Sequence, residues 1–265
     1  MGITGSVDVV AALRRAGCVF AEDEGALLIE AAGADSVRLD ELVAQRVSGV
    51  PLEYLLGWVE FRGVRVGVRA GVFVPRQRTA FLVEQALRDV TAESVRIVDL
   101  CCGCGALGLT AATELTGRGC SVELVAADID PVAVACAREN LAALDAPVYE
   151  GDLFDALPTE LRGHVDVLLA NTPYVPSARI ADLPPEAREH EPLVALDGGD
   201  DGLAVFRRVA EGAAEWLAPG GSVYVETGTG QVDSALTVLR EHGLAPRVEH
   251  SEEYYATVVI GTRRD

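Results

Sequence analysis

A polar and aromatic tetrapeptide, Asn171-Thr172-Pro173-Tyr174, directly follows an apolar run that is typical of a β-strand. The Asn171 side chain offers one acceptor oxygen and two N–H donors, so it can hold another amide or an amidine edge. Tyr174 supplies a flat face with a polar tip, and Pro173 restricts the backbone between them. These residue types predict a small polar pocket with an aromatic wall. An Asn-x-Pro turn that only ends a strand would show the same pattern.

Cysteines and glycines crowd the end of an earlier apolar run, over residues 99–105. Glycines there let the backbone approach a ligand closely and leave the amides of a following helix free. The candidate site residues of this segment are Asp99, Cys101, Cys102, Gly103, Cys104 and Gly105. The cysteines fit either buried small side chains in a tight turn or a redox pair of Cys101 and Cys104. A zinc site needs about four ligands, and no second pair of cysteines or cluster of histidines is spaced to complete one, so no metal is expected.

Acidic residues follow the next two strand-like runs. Asp128 and Ile129 end the second run, where an acidic side chain typically binds the ribose hydroxyls of a nucleoside. Asp130, which precedes a proline, fits a helix cap, and this leaves Asp128 as the functional candidate. Asp152 and Leu153 follow the third run, where an Asp turn is the simpler interpretation.

These motifs lie at the ends of apolar runs that alternate with helical patterns. Strands are predicted over residues 96–100, 122–127, 147–149, 165–170 and 222–225, and helices over 79–87, 106–115, 131–144 and 203–217. This alternation predicts an α/β fold with a doubly wound, mostly parallel sheet. Residues 247–250 and 257–261 predict an antiparallel hairpin at one edge. Ligands bind beyond the carboxyl ends of such strands, so the four motifs should converge.

The first part of the chain differs from this sheet. Short helices are predicted there, with Ser6, Asp23 and Ser36 as candidate caps. Alternating valines over residues 58–74 predict a β-hairpin with glycine turns. We therefore expect a small helical domain at residues 1–57, a β-hairpin linker at 58–75 and the sheet domain at 76–265.

Composition restricts the partners. The 265 residues carry 41 acidic and 22 basic side chains, a formal net charge of −19. A field this acidic repels nucleic-acid phosphates and anionic membranes, so neither is expected as a partner. No run approaches the ~20 apolar residues of a membrane span, and residues 1–10 lack a signal-peptide pattern. A cytoplasmic protein is expected, and no pattern indicates an oligomeric state.

Further segments bring the sequence close to a known family. They are Pro-Leu-Glu-Tyr at 51–54, Gly-Val-Phe-Val-Pro-Arg at 71–76, Asp-Gly-Gly-Asp-Asp-Gly-Leu at 197–203, and Glu-Thr-Gly at 226–228 followed by Gln231. With residues 171–174, they resemble the HemK-type protein-(glutamine-N5) methyltransferases, which are class I S-adenosylmethionine (SAM) methyltransferases. The resemblance covers nearly the whole chain. It implies a Rossmann-like fold and methyl transfer from SAM to the amide nitrogen of a protein glutamine, with S-adenosylhomocysteine as product.

The resemblance also implies roles for the candidate residues. Residues 101–105 would line the methionine side of SAM, Asp128 would hold the ribose, and Asp152 and Leu153 would border the adenine. Asn171 would link cofactor and acceptor. The substrate glutamine would lie on residues 171–174, its amide held by Asn171 and a backbone carbonyl. The catalytic residues implied are Asn171, Pro173 and Tyr174, and Thr172 joins them in binding substrate. Residues 1–57 would recruit the protein that carries the exposed glutamine.

The sequence departs from the family pattern at three places. Cys101 stands where the family's loop begins with glycine. The family's Pro-Arg-Pro-Glu-Thr-Glu is Pro-Arg-Gln-Arg-Thr-Ala at residues 75–80, so Arg78 and Ala80 replace both acidic residues. Thr172 replaces the first proline of Asn-Pro-Pro-Tyr. The variant resembles a HemK-related branch with an undefined protein substrate, and a translation factor and a ribosomal protein both stay open.

Two other functions fit the same residues. An adenine N6-methyltransferase of nucleic acid would stack its base on Tyr174, but the net charge argues against it. A non-enzymatic SAM-binding regulator would explain the departures at Cys101, Thr172 and Ala80. The intact Asn171, Pro173 and Tyr174 argue for an enzyme instead.

Overall fold

A computed structural model describes residues 6–264 of the chain. Four helices come first: α1 Ser6–Arg15, α2 Ala21–Ala32, α3 Ser36–Val47 and α4 Leu52–Leu56. Their apolar faces form a small separate core of Val9, Leu13, Ala21, Leu28, Ala32, Leu42 and Val43. The helical segment therefore has a core of its own, small as the sequence predicts.

The helix caps differ slightly from the prediction. Asp35 caps α3, because its carboxylate accepts hydrogen bonds from the backbone N–H groups of Val37 and Arg38, both at 3.0 Å. The predicted cap at Ser36 is thus one residue late. Asp23 lies inside the first turn of α2, where a negative charge stabilises the positive end of the helix without capping it.

An antiparallel hairpin follows, formed by β1 Trp58–Phe61 and β2 Val64–Gly67. It is shorter than the predicted range of 58–74, since residues 68–76 belong to no strand. Val68, Val72 and Val74 are nevertheless buried in the main core. The alternating valines therefore report burial correctly, while the strand pairing ends at Gly67.

The main sheet of the described chain has seven strands. They are β3 Ser94–Leu100, β4 Ser121–Asp128, β5 Val148–Glu150, β6 Val165–Ala170, β7 Leu217–Glu226, β8 Leu244–Ser251 and β9 Ala256–Arg263. Their spatial order is β5-β4-β3-β6-β7-β9-β8. The first five strands in this order are parallel, and β9 is antiparallel to both its neighbours. This confirms the doubly wound α/β fold with an antiparallel C-terminal hairpin.

Helices cover both faces of this sheet. They are α5 Ala80–Asp89, α6 Ala106–Gly117, α7 Pro131–Leu141, α9 Ala204–Trp216 and α10 Val232–Glu241, while the short helix α8 Pro185–His190 lies in the connection between β6 and α9 and joins neither sheet core. Helices α5 to α7 share one core with the hairpin, and α9 and α10 share the other. Strand β3 contributes side chains to both cores, because successive residues of a strand point to opposite faces: Ile97 faces the first core and Val98 the second. No helix within residues 6–264 is long and apolar enough to cross a membrane.

Strand order reverses between β3 and β6, which are neighbours in the sheet but are separated in the chain by β4 and β5. Such a switch point leaves a crevice at the carboxyl ends of the two strands. The loops that begin at Cys101 and Asn171 both emerge there. The fold thus brings the first and the last of the four predicted motifs side by side.

Candidate active site

Two neighbouring cavities open at the carboxyl ends of the parallel strands. The inner cavity, of about 230 Å³, lies at the switch point between β3 and β6. The predicted site residues that line it are Cys101, Cys102, Gly103, Cys104, Asp128, Ile129, Asp152, Leu153, Asn171 and Pro173. The structure therefore brings residues of all four strand-end motifs to one cavity.

Asp99 and Gly105 lie behind this lining. Asp99 is 1% exposed, and its carboxylate accepts a hydrogen bond from the N–H of Gly108 at 2.8 Å, which fixes the start of α6. Burial raises the pKa of Asp99 to about 7, and the Gly108 N–H opposes this rise. Gly105 has a φ of +78°, and a Cβ there would stand 3.3 Å from Leu141. Both residues shape the loop from behind the cavity wall.

Asp128 joins two of the loops. One carboxylate oxygen accepts from the N–H of Gly103 at 2.8 Å and the other from the N–H of Asp130 at 3.0 Å. Burial raises the pKa of Asp128, although these N–H groups oppose the rise. Asp130 caps α7 as predicted, since its side chain accepts from the N–H of Val132 at 2.8 Å.

Asp152 carries an ion pair that the sequence analysis does not predict. Its two carboxylate oxygens accept from Arg208 of α9 at 3.0 and 2.8 Å. Both residues line the inner cavity. They are 56 positions apart in the chain, so no local pattern signals the contact.

The cysteines of the loop are free thiols, with Cys102 and Cys104 buried and Cys101 half-buried. Burial raises the pKa of all three, so they stay protonated and are weak nucleophiles. These environments favour a packing role over a redox pair. Cys101 has a φ of +53°, in the region that favours glycine. Within residues 6–264, no group of three or more His, Cys, Asp and Glu side chains could hold a metal ion.

The outer cavity, of about 580 Å³, lies between the helical segment and the strand-end loops. Asn171, Thr172 and Tyr174 line it, and Asn171 also lines the inner cavity, as do Phe73 and Ala195. The helical segment contributes Phe20, Asp23, Glu24, Leu27, Arg46, Leu52 and Glu53 to its walls. The two cavities therefore meet at Asn171.

The side-chain oxygen of Asn171 is buried and has no hydrogen-bond partner within the described structure, and the Thr172 hydroxyl has none either. Buried acceptors in folded proteins nearly always have partners. An acceptor without one, at the junction of two cavities, is suited to receive a hydrogen bond from a ligand.

Later segments of the chain hold the backbone of residues 171–174 in place. The Gln231 amide donates to the carbonyls of Tyr174 at 2.9 Å and Asp201 at 2.8 Å, while its oxygen accepts from the N–H of Gly228 at 2.9 Å. Gly202 packs so closely that a Cβ there would stand 2.2 Å from the Tyr174 carbonyl oxygen. Residues 197–203 and 226–231, noted above for their resemblance, thus position the tetrapeptide.

Three ion pairs that the sequence analysis missed lie in the walls of the outer cavity. Arg46 of α3 is 11% exposed and binds both Glu24 of α2 and Glu186 of α8, each at 2.6 Å. Glu191 accepts from Arg76 and from the N–H of Val74. The loop between β6 and α9 is therefore tied to the helical segment and to the residues after the hairpin.

Comparisons with known proteins agree with this geometry. A family model described as the methyltransferase small domain matches residues 64–182. A release factor glutamine methyltransferase of Geobacter sulfurreducens is 37% identical over 204 residues, which are 76% of this chain and 69% of that protein. One from Streptomyces coelicolor is 36% identical over 218 residues, 80% of this chain and 75% of that protein. A methyltransferase from Pyrococcus furiosus shares the fold, with a TM-score of 0.57 at 14% identity over 77% of this chain and 91% of that one.

Proposed function

We propose, because the chain belongs to the release factor glutamine methyltransferase (HemK) family, that it transfers the methyl group of SAM to the side-chain amide nitrogen of a glutamine in a protein. The observation that carries this proposal is the position of Asn171. Its unpartnered oxygen is buried where the inner and outer cavities meet. An amide N–H is the group that such an oxygen would accept.

The inner cavity suits SAM in its chemistry. Asp128 at the end of β4 is an acceptor for ribose hydroxyls, and Ile129 and Leu153 are apolar walls for the flat adenine. Asp152 is bound to Arg208, so if it borders the adenine, the adenine amino group would use a remaining lone pair of its carboxylate. The loop of residues 101–104 and Asn171 complete the cavity. The carboxylates also favour a cationic ligand.

The chain's task in the reaction is alignment, because the acceptor is a poor nucleophile whose lone pair is delocalised into its carbonyl. SAM supplies a methyl group already activated by a sulfonium. Asn171 and the carbonyl of residue 172 accept the two amide hydrogens, stop the amide from rotating and favour charge on its nitrogen. Holding two reactants in line lowers a barrier by ~7–11 kcal/mol. The N–C bond would form as the S–CH₃ bond of SAM breaks, S-adenosylhomocysteine would leave as the neutral thioether, and the amide proton would pass to water.

Tyr174 acts as a wall and not as a base. Burial raises its pKa to about 12, with the Glu226 carboxylate pushing in the same direction. The phenol therefore keeps its proton near neutral pH. Its ring limits where the acceptor amide can lie, and Pro173 fixes the turn that brings the ring into position.

The protein substrate enters through the outer cavity. Residues 1–57 recruit it, residues 58–75 join the two parts, and residues 76–265 hold SAM and the acceptor. The residues that line the two cavities support this division. The helical segment faces the acceptor residues across the outer cavity, and it contributes no residue to the inner cavity. A bacterial release factor is the first substrate to test, because the relatives are named for it. The predicted cytoplasmic location stays a prediction.

Labelled methyl transfer tests the proposal. Wild-type protein and [methyl-³H]SAM are incubated with a purified release factor and with a lysate of cells that lack this protein. We expect label that protease removes and RNase does not, and N5-methylglutamine after complete enzymatic digestion. Label on adenine would favour the nucleic-acid methyltransferase, and SAM binding without any transfer would favour the regulator.

A further inference from the structure

Three side chains from distant parts of the chain meet beside the outer cavity, which two of them, Arg78 and Tyr174, line. Arg78 precedes α5, Tyr174 follows β6, and Glu226 ends β7. The Arg78 Nε donates to Glu226 Oε1 at 2.8 Å, and an Arg78 terminal nitrogen donates to the Tyr174 hydroxyl. The Tyr174 hydroxyl donates to the same Glu226 oxygen at 3.1 Å. Each group thus contacts both others.

The buried carboxylate of Glu226 depends on this triangle of contacts. The Glu226 side chain is 3% exposed, and its second oxygen has no partner among the described residues, so its attachment depends on Oε1. A buried carboxylate without a cation is costly, and Arg78 supplies that cation. Because Tyr174 keeps its proton, its hydroxyl can donate to Glu226 and accept from Arg78 at once.

The guanidinium also lies against the ring. Its carbon is 5.9 Å from the centre of the Tyr174 ring, within the range of a cation–π contact. Arg78 is 45% exposed and lines the outer cavity together with Tyr174. It therefore touches both the hydroxyl end and the face of the one aromatic side chain in the tetrapeptide.

We propose that Arg78 is a positioning residue for methyl transfer: it holds the Tyr174 ring in the orientation that confines the acceptor amide, with Glu226 as its buried anchor. This inference rests on the proposed function, since the ring confines an acceptor only if residues 171–174 bind one. It also gives a role to one departure from the family pattern, the arginine in place of an acidic residue.

The triangle predicts that restoring the family's acidic residue is harmful. Arg78→Glu would place a second carboxylate beside buried Glu226 and leave the Tyr174 hydroxyl with two acceptors for one proton. Like charges at such a distance destabilise each other. We expect Arg78→Glu to lose at least as much turnover as the neutral variant Arg78→Met.

The test compares Arg78→Met with the double variant Arg78→Met/Glu226→Gln, which also removes the buried charge and so protects folding. A matched control is Arg162→Met. Arg162 is 50% exposed, pairs with Glu215 and lies 5.1 Å over the Trp216 ring, away from both cavities. The readouts are kcat and KM for release factor methylation, SAM affinity by calorimetry, and the ring signal of Tyr174 in protein with ¹³C-labelled tyrosine, assigned by Tyr174→Phe.

Arg78→Met should shift or broaden the Tyr174 signal and lower kcat by about ten- to a hundredfold, the effect of one charge-assisted hydrogen bond. SAM affinity should stay unchanged, and the double variant should regain stability without regaining kcat. The Arg162 control should match wild type. An unchanged Tyr174 signal, or full recovery of kcat in the double variant, would overturn the proposal. If wild-type protein methylates no release factor, the proposed function fails for that substrate, while the Tyr174 signal still decides the role of Arg78.

Discussion

Replacing Asn171 with alanine should separate activity from stability. The buried oxygen of this side chain has no partner, so Asn171→Ala removes no hydrogen bond to that atom. An unpaired buried polar group costs about 1–3 kcal/mol, and its removal offsets the packing lost with the side chain. We therefore expect the free energy of unfolding to change by less than about 1 kcal/mol.

The effect on turnover should be much larger. Loss of one hydrogen-bonding group that acts in the transition state typically lowers kcat by about 10²–10³-fold. SAM affinity should fall by less than about tenfold, because most of the inner cavity is unaffected. Single-turnover transfer of labelled methyl to the release factor measures the first effect, and calorimetry the second.

Asn140→Ala is the matched control, because this asparagine is fully used. Its oxygen accepts from the N–H of Gly67 at 2.9 Å, and its amide donates to the carbonyls of Gly67 and Cys104, both at 2.8 Å. At about 1 kcal/mol for each bond, the variant should lose roughly 3 kcal/mol of stability, or about 6–12 °C in Tm. The reasoning fails if Asn171→Ala turns over like wild type, or if it loses as much stability as Asn140→Ala.

Three further predictions follow from the same contacts. Asp128→Asn should weaken SAM binding by about ten- to a hundredfold in a folded protein, and an unchanged calorimetric affinity would remove Asp128 from the cofactor site. The pKa of Asp99, raised to about 7, lies above its unfolded value. The folded state therefore retains this proton between about pH 4 and 7, and the stability that Asp99 contributes falls as pH rises through that window. In urea unfolding, the free energy of unfolding of wild type should fall relative to that of Asp99→Asn as pH rises to about 7, and should then stay constant relative to it. A relative free energy that does not change with pH would contradict the raised pKa. Arg46→Met leaves Glu24 and Glu186 without their cation, so it should raise the KM for the protein substrate and leave SAM affinity unchanged. An unchanged KM would remove the link between helical segment and substrate.

The strands of the sheet could be predicted from the sequence because each of them is a short apolar run of adjacent residues. The predicted run at residues 165–170 coincides with β6, and the run at 122–127 lies within β4, Ser121–Asp128. The loop at the end of each such strand is also local, which is why Asp128 and Asn171 could be chosen by position alone. The prediction at Asp130 succeeds for the same reason, since a helix cap depends on a few adjacent residues.

The hairpin was overextended because strand pairing is not local. Val68, Val72 and Val74 lie at even-numbered positions and are buried, as residues on one face of a strand would be. Whether a strand partner lies alongside depends on distant parts of the chain. Here the strand pairing ends at Gly67, and one further backbone hydrogen bond follows, from the Val68 N–H to the Gly57 carbonyl at 3.1 Å. Helix α10, Val232–Glu241, lies outside the predicted helices, although its buried residues Ala235, Val238 and Leu239 fall at helical spacing. The sequence therefore carries a local signal for this helix that the prediction missed.

The charge pairs at the site illustrate the same limit more strongly. Arg46 and Glu186 are 140 positions apart, and Arg78 and Glu226 are 148 apart. An arginine in an acidic chain has many available carboxylates, and only the folded structure selects one. Sequence alone therefore shows that Arg78 departs from the family pattern, but not that its guanidinium donates hydrogen bonds to Glu226 and Tyr174.

This contrast separates the two halves of the active site. The inner cavity is built largely from strand-end loops, each of which brings its own residue, so its chemistry could be inferred from adjacent positions. The outer cavity is built from contacts between the helical segment, the residues after the hairpin and the loop that follows β6. Because those contacts join distant parts of the chain, we expect substitutions there to change the acceptor protein without altering the cofactor motifs. The reaction type could therefore be inferred from local sequence, whereas we expect substrate choice to depend on long-range pairs such as Arg46 with Glu186.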